Sequence, residues 1–309
     1  MNYVVGIDIG GTKIAVGIVD EEGNLYDNKI FSNDAQSPVE TKLEHLYSMV
    51  HGLINQTMFS RDRLLGIGVG APGPLNAKNG VITCPPNLPN WENTYIVDLL
   101  QEEFQVPVVL ENDANAATLA EKWIGAAQEN NHFVYMTIST GIGSGLYVDG
   151  NLVSGSRGNA GDIGHMVIDP SYGPCTCGQD GCFESIASGT AIARLGSTLI
   201  GESLTTKQIF DLYYQGNESI TLFINDVFTK IGSGCVTLIN TFDPEKIIIG
   251  GGVSKVGNCL FEEVQDYVSN YALNPEGRKT EIVPSGLKQN SGVIGAAALF
   301  FQKWMTVEN

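Results

Sequence analysis

Tyr3-Val4-Val5-Gly6-Ile7-Asp8-Ile9-Gly10-Gly11-Thr12-Lys13-Ile14-Ala15-Val16-Gly17-Ile18-Val19 sets two apolar, β-branched runs on either side of a glycine turn. Such runs read as buried strands and the turn as their hairpin connection. A third strand is predicted over 25–31, after the turn at Glu22-Gly23-Asn24. Leu43, Leu46, Tyr47, Val50, Leu53 and Ile54 then recur at helical spacing. Strands over 65–69 and 106–110 alternate with helices over 94–104 and 113–124. The pattern then starts again. Strands over 133–139 and 145–148 flank Thr140-Gly141-Ile142-Gly143-Ser144-Gly145. Helices over 189–200, 205–215 and 219–240 follow, then a strand over 247–249 that runs into Gly250-Gly251-Gly252. A helix over 256–272, a strand over 281–283 and a helix over 291–304 complete the pattern. Two halves that each open on strand, glycine turn, strand imply a duplicated α/β unit with a ligand cleft between the copies.

The 309 residues suit two domains, and 43% hydrophobic content supports a sizeable core. A net charge of −17 disfavours a nucleic-acid partner, because a phosphate backbone would be repelled. No basic, cleavable leader and no long apolar run stand out, so a cytoplasmic protein with no membrane partner is expected. In a reducing compartment clustered thiols favour metal ligation over disulfides. Cys235 and Cys259 lie in apolar stretches and are expected to fill core space; Cys84 has no assigned role.

Chemistry concentrates in the loops. A glycine turn lets backbone N–H groups approach a phosphate closely. Asp8-Ile9-Gly10-Gly11-Thr12-Lys13 adds a hydroxyl and a cation suited to phosphate, and a carboxylate suited to Mg²⁺ or its waters. Thr140-Gly141 and Gly250-Gly251-Gly252 supply two more such turns. A plain hairpin explains the first of them, but the second is richer in glycine than a hairpin requires and the third lies between a strand and a helix; three together point to a nucleotide. None is a G-x4-G-K-[ST] loop, and none fits a dinucleotide fingerprint. Glu111-Asn112-Asp113-Ala114-Asn115 ends a strand and enters a helix. Asn112 or Asp113 can cap that helix, or Asp113 can act as a general base toward an alcohol while Asn112 orients a hydroxyl. Pro72-Gly73-Pro74 and the loop Pro85-Pro86-Asn87-Leu88-Pro89-Asn90-Trp91 are either rigid connectors or sugar contacts through Gly73 and Asn87. His165, Cys175, Cys177 and Cys182 follow the pattern G-H-x9-C-x-C-G-x2-G-C-x-E, four soft ligands on short glycine-rich links. That number closes a tetrahedral zinc site with no position left for water, which makes the metal structural. The alternative is three unlinked thiols and a surface histidine.

Together, D-I-G-G-T-K, E-N-D-A-N, S-T-G-I-G-S-G and the Cys/His segment resemble the ROK family (repressors, open reading frames and sugar kinases) along essentially the whole chain. The resemblance implies an α/β fold of two RNase H-like domains of the actin-like ATPase type flanking a cleft, with ATP, Mg²⁺ and a structural Zn²⁺. Domains are expected at 1–118 plus 291–309, and at 119–290. By resemblance Asp113 is the base that deprotonates a hexose 6-hydroxyl. Gly73, Asn87, Asn112, Asp162, His165 and Glu184 are sugar contacts. Asp8, Gly10, Gly11, Thr12, Lys13, Thr140, Gly141 and Gly251 serve the nucleotide and its metal. Asp162 departs from the family's usual glutamate and is one methylene shorter. A-P-G-P with C-P-P-N-L-P-N-W is similar to the glucose-phosphorylating branch, which implies glucose 6-phosphate as product. N-acetylmannosamine and fructose are the alternative acceptors. A sugar-responsive regulator is disfavoured, since Asp8 leaves no room ahead of it for a DNA-binding module. A homodimer or homotetramer is expected.

Overall fold

The computed structural model describes residues 1–85, 87–287 and 291–305. Pro86, in the proline-rich loop, and the last part of the expected first domain, 306–309, lie outside the described residues. The chain divides into two compact units. Unit 1 comprises 1–128, 154–160 and 286–309; unit 2 comprises 129–153 and 161–285. Unit 1 thus runs to 128 where a break was expected at 118, because the helix that spans 118 packs on the last helix of unit 1.

In unit 1, β1 (Tyr3–Ile9), β2 (Lys13–Asp20), β3 (Leu25–Ser32), β4 (Leu64–Ala71) and β7 (Val108–Asn112) form one sheet in the order β3-β2-β1-β4-β7. The β1–β2 and β2–β3 pairs are antiparallel, while β1–β4 and β4–β7 are parallel. A small hairpin, β5 (Leu75–Asn76) with β6 (Val81–Ile82), follows β4. Alternation along β1 sends Tyr3, Val5, Ile7 and Ile9 to one face. There they meet Leu46, Val50 and Leu53 of α1 (Val39–Gln56) and Leu100 and Phe104 of α2 (Ile96–Phe104). Each fully buried leucine or valine contributes about 1.5–3 kcal/mol to that contact. Val4 faces the other way, toward Val293, Ala297 and Phe300 of α9 (Ser291–Met305), which packs beside α3 (Asp113–Ile124). Side chains at Gly6 or Gly68 would collide with the α9 backbone, so these strand glycines form the trough in which α9 lies.

Unit 2 repeats the sheet. β8 (Phe133–Ile138), β9 (Ile142–Val148), β10 (Asn151–Leu152), β11 (Lys246–Gly250) and β12 (Glu281–Pro284) run in the order β10-β9-β8-β11-β12, with the same sequence of antiparallel and parallel pairs. Its helices are α4 (Phe183–Ala187), α5 (Gly189–Ile200), α6 (Thr206–Tyr214), α7 (Glu218–Phe242) and α8 (Asn258–Tyr271). Among the described residues α7 alone is long and apolar enough to cross a membrane. Ile224, Val227, Phe228, Ile231 and Leu238 are buried in the core of unit 2, which accounts for its apolar length. The glycine turn expected over 140–145 is shorter: Ser139-Thr140-Gly141 forms it, and Ile142–Gly145 pair with β8.

Candidate active site and metal centre

On unit 1 the register places Asp8 beside Gly70 and Gly70 beside Glu111, with Ala71 beside Asn112. The C-terminal ends of β1, β4 and β7 therefore bring Asp8, Asn112 and Asp113 to one edge of the sheet, the edge where open α/β sheets bind ligands. Asn112 is the N-cap of α3: its Oδ1 accepts from the backbone N–H groups of Ala114 (2.9 Å) and Asn115 (3.3 Å). A Cβ at Gly73 would lie 3.7 Å from Asn112 Nδ2, so those two expected sugar contacts are neighbours. Glu111 Oε1 fixes the same corner, accepting from Asn112 N (2.9 Å) and Asn115 Nδ2 (3.0 Å).

Asp113 occupies the first position of α3 rather than its cap. Its side chain reaches solvent, yet protein crowds it on the remaining sides, and this incomplete hydration raises its pKa; the N–H of Ala114, at 2.8 Å from Oδ1, acts in the opposite direction. Asp8 is half-buried. Burial first, then repulsion from Asp113, raise its carboxyl to about 6 against a smaller pull from Lys13. Repulsion between two carboxylates is mutual, so we assign it to the pair and not to Asp8 alone. Asp8 also lies over the first turn of α9, where a side chain on Gly292 would overlap its carboxylate.

The β1–β2 turn is closed by Gly10 N–H donating to Lys13 O (2.9 Å), and Gly11, Thr12 and Lys13 are exposed. Asn87, also exposed, is next to this turn: a Cβ on Gly11 would come within 3.2 Å of Asn87 O. A residue that sequence reasoning passed over joins the two loops. Asn33, 3% exposed, donates from Nδ2 to Gly10 O (2.7 Å) and from its backbone N–H to Thr12 O (2.9 Å). Its Oδ1 accepts from Trp91 Nε1 at 3.2 Å. Nothing in Phe31-Ser32-Asn33-Asp34-Ala35 marks it, since a polar run after a strand reads as a solvated turn.

On unit 2 the β8–β9 turn is closed by Ser139 N–H to Gly141 O (2.9 Å) and leaves Thr140 exposed. β11 delivers Gly251 beside it, with φ at +87° and the Ile138 backbone where a Cβ would go. Only glycine meets both demands. Glu184, in α4, holds the turn: Oε2 accepts from Ile142 N–H (2.8 Å) and fills the space a side chain at 141 would need. Asp162 is exposed at the start of a 3-10 turn over Ile163–His165. Gly161 O, just before it, accepts from Ser144 Oγ (2.6 Å), which ties this segment to β9.

His165, Cys175, Cys177 and Cys182 converge, with their ligand atoms all within 4.8 Å of one another. Cys177 and Cys182 sulfurs are 3.5 Å apart, and Cys175 Sγ is 3.6 Å from His165 Nδ1. A disulfide would need about 2.05 Å. Zinc held by bonds of about 2.0–2.3 Å gives tetrahedral edges of about 3.5–3.8 Å, so the donor set fits that ion. Bridges Val167–Cys182 and Pro174–Asp180 shape the segment, and left-handed Gly178 and Gly181 turn it back on itself. Asp169 fastens it to α7 through Lys230 (2.8 Å), and Tyr172 does so through Asp226. The Lys230 ammonium holds the Asp169 carboxyl down at about 2.

The model of the ROK family matches residues 4–303. A glucokinase from Thermotoga maritima is 33% identical over 314 residues, covering 97% of this chain and 98% of the relative. A xylose repressor from Bacillus spizizenii is 31% identical, with 99% of this chain matched to 78% of the repressor. Among solved structures, a ROK family glucokinase from Streptomyces griseus in complex with glucose and AMPPNP superposes with a TM-score of 0.81. It is 29% identical, and the match covers 96% of this chain and 99% of that one. This chain belongs to the ROK family.

Proposed function

We propose that the protein is an ATP-dependent hexose kinase whose acceptor is glucose, phosphorylated at the 6-hydroxyl with Asp113 as the base. The observation that carries this reading is the Asp113 carboxylate at the sheet edge, open to solvent, raised in pKa, and beside Asn112 and Asp8. A base poised above the ordinary carboxylate range takes a proton from an alcohol more readily. The 6-oxygen attacks the γ-phosphorus, the bond from that phosphorus to the β,γ-bridging oxygen breaks, ADP leaves, and the hydroxyl proton passes to Asp113. Gly10, Gly11, Thr12 and Lys13 serve the phosphates in this reading, with Thr140, Gly141 and Gly251 on unit 2.

Asp8 suits Mg²⁺: a carboxyl raised to about 6 by burial and a neighbouring carboxylate is one whose ionised form a cation would stabilise. The ion, when bound, neutralises charge on the phosphate oxygens. Zinc, held by His165, Cys175, Cys177 and Cys182, is structural and fixes α4 and hence Glu184. Asn112 Nδ2, Gly73, Asn87, Asp162, His165 and Glu184 are the sugar contacts. Similarity to glucokinases supports glucose over other hexoses.

A sugar-responsive regulator is the second reading, favoured by the identity to the xylose repressor. A coupled assay over glucose, mannose, fructose, N-acetylglucosamine and N-acetylmannosamine decides between the readings. Glucose should give the highest kcat/KM, and Asp113→Asn should bind glucose while losing about 10²–10⁴ in kcat. Binding of glucose with no ATP-dependent turnover on any of these sugars would favour the regulator.

A further inference from the structure

We propose that Asn33 links the two substrates: through it, nucleotide at the Gly10–Lys13 turn and hexose at the Asn87 loop strengthen each other's binding. The inference rests on the kinase reading above and adds a route for communication within unit 1. Asn33 touches neither substrate in that reading, so it is a positioning residue. Every polar group of its amide has a partner in one of the two loops. Nδ2 and the backbone N–H hold the turn at Gly10 O and Thr12 O, while Oδ1 holds Trp91, which is fully buried at the end of the Asn87 loop.

Further contacts tie Asn87, Asn90 and Trp91 to their surroundings. Asn90 Nδ2 donates to Ala35 O (2.5 Å) and Ser37 O (2.9 Å), just beyond Asn33 in the chain. Lys42 of α1 lies over the Trp91 ring at 6.0 Å. Asn87 O packs on Gly11. A shift of the turn toward a phosphate must therefore either carry Asn33 and Trp91 with it or leave a buried amide unpaired, and the second is costly in the core. By linkage the effect is reciprocal: whichever substrate binds first sets the loop for the other.

Calorimetric titration tests this with glucose, in the presence and absence of AMPPNP and Mg²⁺, on the full chain. In the unmodified protein the nucleotide should tighten glucose binding by about fivefold or more, the lower end of ordinary coupling. Asn33→Ala should reduce that ratio below about twofold, with melting well above the assay temperature. Trp91→Phe, which keeps the ring in the core and removes the indole N–H, should do the same and covers the case in which Asn33→Ala fails to fold. The double variant should lose no more than either single one, as members of one chain of bonds do. An unmodified protein that binds both ligands without linkage, or an Asn33→Ala variant that keeps it, overturns this inference alone. A protein that binds neither ligand overturns the kinase reading and this inference together.

Discussion

Replacing Asp8 by Asn should make the protein more stable at neutral pH while damaging its chemistry. A folded-state pKa of about 6 against an ordinary 3.8 means that the native structure binds this proton more tightly than the unfolded chain. For a carboxyl raised in this way, the associated stability is fully present below the unfolded pKa and is lost as pH rises through about 6. At about 1.4 kcal/mol per pH unit, ionised Asp8 costs the free enzyme up to ~3 kcal/mol at pH 7.5. Asparagine copies the shape of the protonated acid and carries no charge. The variant should then melt higher than the parent at pH 7.5, by about 2–4 °C for each kcal/mol recovered. The gap should close toward pH 4, where the parent is protonated too. Scanning calorimetry of both proteins across this range, without metal or nucleotide, gives the answer. An equal or lower melting temperature for Asp8→Asn at pH 7.5, or a gap that does not change with pH, would refute the claim that Asp8 is held ionised against its surroundings. Added Mg²⁺ and ATP should stabilise the parent and leave the variant unmoved.

Cys177→Ala should release about one zinc per chain and raise KM for the hexose; zinc absent from the unmodified protein by plasma emission spectrometry would dismiss the site. The pH profile of kcat should lose its acid limb at a pH above the ordinary aspartate range, since the Asp113 carboxyl is raised and must be ionised to accept the proton. An acid limb at or below pH 4 would assign the base elsewhere. Gly141→Ala and Gly251→Ala should part company. The first meets only the end of the Glu184 side chain, so melting should hold while KM rises; the second meets the Ile138 backbone at a left-handed φ and should lose more than about 1 kcal/mol by thermal unfolding.

Much of the molecule was legible because local chemistry and tertiary need coincide. β-Branched runs around a glycine turn have few alternatives, and the α3 boundary at Asp113 follows from a cap residue placed after an apolar strand. The convergence of His165, Cys175, Cys177 and Cys182 was legible because short glycine-rich links can bring four such side chains together. The turn over 140–145 was overextended because glycine reads as loop wherever it clusters. Gly143 and Gly145 instead pair with Thr137 and Tyr135 in β9. Asn33 was invisible because its role depends on Trp91, 58 residues away, and no short-range pattern encodes a contact of that separation.

At Asn112 the helix cap is compatible with the proposed sugar contact, and the reason applies to other residues of the proposed site. Oδ1 of Asn112 caps α3, which orients Nδ2 toward Gly73. His165 turns Nδ1 to Cys175, which sets Nε2 on the opposite edge of the ring. Glu184 gives Oε2 to Ile142, leaving the direction of Oε1 fixed. In each case one polar atom is tied to the scaffold, and the tie determines where the other points. A side chain held at one end loses less entropy when its other end meets a ligand, so a structural hydrogen bond and a binding role reinforce each other. Sequence evidence for a cap, a metal ligand or a loop clamp is therefore no argument against function when the side chain has a second polar atom.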